Sequence, residues 1–166
     1  MDADFFKRIE KKEASIEGPE FVIQKRHWGF SVVLDANTRI HSICDEPSAH
    51  FHRYRTEDYI LYSGEMTVYR GENFDEDPER TIGGLKPAIL APGDKIVLPP
   101  GIVHVPINTG KENAVFLEIS HGPYEEADIK RVYDKNGRDA ELAATWRALG
   151  YKAGVGIKDL ISLIHK

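Results

Sequence analysis

Four side chains in two separated stretches of this chain have the types and spacing to hold a metal ion. The first stretch is HFHRYRTEDYILYSG, residues 50–64, and the second is GDKIVLPPGIVHVPIN, residues 93–108. Side chains two apart on an extended strand point the same way, so His50 and His52 present two imidazoles to one face. Glu57 follows on the same run, and His104 comes from the second stretch. Three neutral imidazoles and one carboxylate suit a divalent Mn, Zn, Fe, Co or Ni ion, and leave positions open on a metal preferring five or six ligands. The chemistry indicated is metal-assisted, on a small oxygen-rich substrate. The competing reading is a metal-free barrel whose histidines are satisfied in its core, which suits one His better than four converging donors.

Positioning those donors calls for strands. Residues 4–17 have the spacing of an amphipathic helix, with Phe5, Ile9 and Ile16 between charged residues and Gly18-Pro19 to stop it. From Glu20 the period changes: FVIQKRHWGFSVVL and RIHSIC are β-branched and aromatic, split by the turn residues Asp35-Ala36-Asn37. His27 and His41 lie in these runs with no second ligand at a suitable spacing, and are read as structural or surface residues. Cys44 reads as a small buried hydrophobe. YILYSGEMTVY gives two strands around Gly64, which supplies positive φ. The acidic, glycine-containing segment 71–84 reads as a solvated loop. Leu85 to Val97 gives two strands divided by Pro92-Gly93-Asp94, and Pro99-Pro100-Gly101 bends the chain before His104.

Asn113 to Ser120, NAVFLEIS, is a strand carrying one charge, Glu118. A carboxylate on a largely buried strand has a partner or a task. After Pro123 the strand signals end. AELAATWRALG is a helix with Leu142, Trp146 and Leu149 on one stripe and Gly150 as its cap. IKDLISLIHK carries a second stripe of Ile157, Leu160, Ile161 and Ile164, which closes over the barrel or packs on a partner subunit. The pattern describes an all-β double-sheet jelly roll over residues 20–138, with an N-terminal helix within 1–19 and C-terminal helices within 139–166.

At 166 residues and 41% hydrophobic content, the chain suits one domain with a real core. Net charge −5 with no long basic run argues against nucleic-acid and anionic-membrane partners. No apolar stretch approaches about 18 residues, and a single cysteine builds no disulfide framework within the chain, so a cytoplasmic protein is expected.

The two stretches resemble the paired motifs of the cupin superfamily. His50, His52, Glu57 and Gly64 fit H-x-H-x4-E-x6-G, and Gly93, Pro99, Gly101, His104 and Asn108 fit G-x5-P-x-G-x2-H-x3-N. Cys44 stands where the pattern opens with Gly. The resemblance implies a cupin barrel with those four residues as metal ligands, and a homodimer is common for the fold.

A narrower resemblance bears on the reaction. HFHRYRTEDYI is similar to the metal-binding stretch of the cupin D-lyxose isomerases. IQKRHWGFSVVL and LEISHGPYEEADIKRVYDKNGR are similar to the opening and closing blocks of the C-terminal cupin of type II mannose-6-phosphate isomerases. In that second family fewer residues separate the positions of His52 and Glu57, so what the two resemblances share is the reaction. They imply a metal-dependent aldose–ketose isomerase, with manganese the first choice of ion, acting on a mannose-configured sugar or sugar phosphate.

Such a reaction needs a base near the carbon acid and an electrophile at the oxygens. The matching strand of the isomerases carries a Glu, which implies Glu118 as the base; its alternative is a structural pair with an arginine. Tyr59 shares parity with Glu57 and is a candidate for hydrogen bonding to substrate. Arg53 and Arg55 sit near the turn, where either can reach an anionic or polyhydroxyl ligand. Tyr124, Asp128 and Arg131 are candidates for holding sugar hydroxyls, or else form a cap and ion pair after the barrel. Two other readings fit the same ligands: a non-haem iron dioxygenase, and a sugar-binding cupin without turnover.

Overall fold

The computed structural model describes residues 22–123 and 126–166. The helix expected within residues 4–17 and the candidate Tyr124 lie outside them. The strands run β1 (Val22–Arg26), β2 (Gly29–Val33), β3 (Thr38–Ile43), β4 (Ala49–His52), β5 (Thr56–Ser63), β6 (Met66–Glu72), β7 (Lys86–Leu90), β8 (Lys95–Leu98), β9 (Ile102–Asn108), β10 (Ala114–His121) and β11 (Ile129–Tyr133). Three helices are described: α1 (Pro78–Gly83), α2 (Ala140–Ala148) and α3 (Ile157–Ile164).

Two antiparallel sheets form a double-sheet jelly roll, one ordered β1-β2-β3-β10-β5-β8 and the other β11-β4-β9-β6-β7. Between them lies a core of Ile43, Tyr59, Leu61, Met66, Val68, Leu98 and Phe116 among others. At its centre, around β9, the second sheet is buried on both faces. On β9 the period of two turns His104 inward and places Val103 and Val105 in a different cluster, with Trp146, Ile157 and Leu160 of the C-terminal helices. That double burial explains why IVHVPIN reads as an almost unbroken apolar run.

The terminal helix therefore covers its own chain: Ile157 and Leu160 are buried in that cluster, and Ile161 and Ile164 pack against it. Its first amide is tied down as well, Ile157 N–H donating to the buried Glu46 carboxylate at 3.0 and 3.1 Å. Leu149, expected on the buried stripe of α2, is exposed, because the helix ends at Ala148 and the chain turns at Gly150.

Three other expectations change. Segment 71–84 is not all loop, since Asp77 caps α1 by accepting from Arg80 N and Pro78 takes the first helical turn, a local signal outvoted by acidic composition. Strand signals do not end at Pro123: β11 pairs with β4, Ile129 opposite His52 and Arg131 opposite His50. Cys44 is exposed, because β3 stops at Ile43, and its Sγ contacts Trp28 O at 3.4 Å. Gly64 does carry positive φ, 84°, and a Cβ there would stand 2.6 Å from Asn113 O, so this position of the β5–β6 turn favours glycine.

Candidate metal centre and its cavity

His50 and His52 alternate on β4, and His104 lies opposite His50 on the neighbouring β9. The ring centroids of His50 and His104 are 4.6 Å apart, and those of His50 and His52 5.1 Å. Glu57 reaches them from β5, in the other sheet. One donor atom from each of the four lies within 4.8 Å of the others, and His52, Glu57 and His104 are buried. All four expected ligands thus come together.

Hydrogen bonding sets the tautomers. A backbone carbonyl only accepts, so His50 Nδ1–H donates to Ser48 O at 2.8 Å and His104 Nδ1–H to Ile102 O at 2.9 Å. Both Nε2 atoms are left as bare lone pairs. His104 Nε2 is buried without a hydrogen-bond partner and faces Glu57 Oε2 at 3.3 Å. Two acceptors pointed at each other in a buried space are unfavourable unless a cation lies among them, and on that ground the residues fit a divalent ion. Burial, and then the neighbouring His104 and His52, hold the His50 imidazole well below its ordinary pKa. Burial would raise the Glu57 carboxyl, but contacts from His104 and His52 outweigh it and hold the group well below the usual carboxylate range. The lowered His50 favours the neutral imidazole a metal requires.

His52 turns Nε2 to Glu57 Oε1 at 2.9 Å and Nδ1 to Asp128 Oδ2 at 3.5 Å. Asp128 was expected at the mouth holding sugar hydroxyls. It is instead 2% exposed behind His52, its Oδ1 accepting from the amides of Arg53 and Tyr54, and it is not among the cavity's lining residues. A carboxylate behind a ligating histidine fixes the ring and raises its basicity. Asp128→Asn keeps an oxygen for the two amides but replaces the carboxylate facing His52. Its expected result is a loss of about 10–100-fold in metal affinity, read by competition with a chromogenic chelator, and unchanged affinity would show that Asp128 serves only the backbone.

Arg55 is buried beside the ligands, its Nε and Nη2 each 3.0 Å from Glu57 Oε1. Tyr59 O–H donates to Glu57 Oε2 at 2.9 Å. Burial, and then the negative Glu57, push its phenol well above the ordinary tyrosine range, so it stays a donor.

A cavity of about 170 Å³ opens beside His50 and Glu57, and Tyr59, Glu118, Arg55 and Arg131 also line it. That is smaller than the roughly 300–1,000 Å³ of sites for drug-sized ligands, and suits a small solute. Glu118 is held from two sides, by His41 Nε2 at 2.8 Å and Arg39 Nη1 at 3.2 Å. A carboxylate only accepts, so His41 carries its proton on Nε2 and Ser31 O–H donates to His41 Nδ1 at 2.9 Å. Glu118 is thus paired with an arginine and also lines the cavity.

Sequence reading missed His41, which was set aside as structural, together with Ser31, Arg39, Trp28, Arg26 and Arg138 in the cavity wall. Alternation along β3 puts Arg39, His41 and Ile43 on one face, but only the β3–β10 register, Arg39 opposite Glu118, reveals which face meets the site.

These features define a cupin-fold protein with a candidate centre of three histidines and one glutamate. A comparison with solved structures supports the fold. CapF, the capsular polysaccharide assembling protein of Staphylococcus aureus, matches with TM-score 0.57 at 12% identity over 72% of this chain. This chain spans only 33% of the CapF chain. The cupin domain of Drosophila melanogaster CENP-C matches with TM-score 0.52 at 15% identity, covering 65% of this chain and 81% of that one. A variant of Streptomyces PAC13, solved with uridine, matches with TM-score 0.53 at 15% identity, covering 69% and 87%. No protein-family model matches the chain, and no curated protein matches it in sequence. Among the described residues, no helix is long and apolar enough to cross a membrane.

Proposed function

We propose that this protein is a metal-dependent aldose–ketose isomerase acting on a mannose-configured sugar, D-lyxose, D-mannose or mannose 6-phosphate. The observation that carries this reading is the shared cavity: a buried carboxylate, Glu118, lines the same small volume as His50 and Glu57, two members of the four-donor cluster. A divalent ion held by His50, His52, Glu57 and His104 supplies Lewis-acid polarisation of the sugar carbonyl.

The chain's own residues do the rest. Glu118 takes the proton from C2 of the aldose and returns it to C1, while the hydroxyl proton moves between the two oxygens, so the sugar is rearranged with no net gain or loss. His41 and Arg39 fix the orientation of the carboxylate. Tyr59 holds Glu57 in place through its hydroxyl.

The test is anaerobic incubation of the purified protein with Mn(II) and each of the three sugars in D2O. Ketose formation with deuterium entering the carbon skeleton is expected. Absence of ketose with Mn, Zn, Fe, Co and Ni alike would remove the isomerase reading. Oxygen consumption under Fe(II) would replace it with the dioxygenase reading.

A further inference from the structure

The wall of the cavity is strongly cationic in a chain whose net charge is −5. Five arginines line it, Arg26, Arg39, Arg55, Arg131 and Arg138, against two carboxylates, Glu57 and Glu118. A guanidinium does not give up its proton at any ordinary pH, so none of these charges can be relieved by titration. The arginines divide by depth. Arg55 is buried on Glu57, and Arg39 is half-buried on Glu118, so both lining carboxylates are engaged by the inner pair.

Arg26, Arg131 and Arg138 are exposed and stand at the rim. Arg26 meets Gln24 Oε1, a neutral acceptor, at 2.9 Å. Arg138 Nε donates to Asp134 Oδ2 at 2.7 Å. Arg131 and Arg138 also line a second, open recess together with Asp139. Like charges gathered around a low-dielectric recess focus a field that attracts an anion, and planar guanidinium groups match the oxygens of phosphate and carboxylate.

We infer that the ligand carries a negatively charged oxygen group, a phosphate monoester or a carboxylate, which Arg26, Arg131 and Arg138 hold at the rim. Its hydroxyl-bearing end then lies inward, beside His50, Glu57 and Tyr59. This rests on the sugar-binding part of the proposed function and narrows its substrate class to anionic sugars.

The test is calorimetric titration of the full Mn(II)-loaded chain with D-mannose, D-mannose 6-phosphate and D-mannuronate. One of the two anions is expected to bind at least about tenfold more tightly than mannose, with an advantage that shrinks as salt rises. A win for mannose 6-phosphate identifies the phosphate source, and a win for mannuronate the carboxylate. Arg131→Gln and Arg26→Gln are each expected to lower anion affinity roughly tenfold or more while metal content and melting temperature hold. Should Arg131→Gln disturb folding, Arg26→Gln, exposed on β1, carries the comparison. Anions binding no better than mannose, or an advantage that survives in Arg26→Gln and in a folded Arg131→Gln, overturn the inference. Because binding is read without turnover, tight anion binding without isomerisation sinks the isomerase reading and leaves this one standing. Isomerisation confined to neutral sugars does the reverse.

Discussion

Glu57→Ala is expected to lose its metal and about 3–5 kcal/mol of stability together. The carboxylate is 1% exposed and is placed for two roles, donor to an ion in the His/Glu cluster and counter-charge to the buried Arg55. Alanine removes both and strands a guanidinium that cannot deprotonate. His104→Ala is the matching control. It should lose the metal as completely, yet unfold in urea with a smaller loss when both proteins are compared metal-free. Its Nε2 has no hydrogen bond to forfeit and faces an acceptor. Atomic emission on the two variants decides the matter: about one ion per chain retained in both would mean that these residues are not ligands.

For Glu118→Gln the expected outcome is full metal content with turnover down by about 10²–10⁴-fold. Glutamine has nearly the same shape and can still accept from Arg39, so the wall of the cavity should hold. What it lacks is the ability to take a proton. A rate close to wild type would assign Glu118 to structure alone, with Arg39 and His41 as its partners. His41→Gln separates position from chemistry: if His41 only orients Glu118, kcat should fall while KM and metal content stay near their original values.

The four-residue cluster was legible in the sequence because much of its spacing is set along single strands. An H-x-H pair on β4 needs only the alternation of an extended chain, and Tyr59 and Leu61, sharing parity with Glu57, are buried as expected. Long-range pairing was not legible. β11 carries the exposed Lys130 and Arg131 at its centre, and is recognisable as a strand only once β4 is beside it. Asp128 lies just before that strand, so its place behind His52 follows from the same unseen pairing. His41 was undervalued for a related reason: its partners Ser31 and Glu118 are 10 and 77 residues away in the chain. The cap of α1 was local and readable, Asp77 followed by Pro78, but it sits among charges and glycines that suggest a loop.

Three donors belong to one sheet and the fourth to the other. A cation among them is therefore a rivet through the sandwich, and it can be inserted only while the layers are in register. Unfolding must expel it, so free ion in solution acts as a thermodynamic tax on denaturation, worth about 2.7 kcal/mol at a hundred times the dissociation constant. The melting point of this barrel is then a property of the surrounding medium as much as of the polypeptide, and a chelator should act on it as a denaturant does.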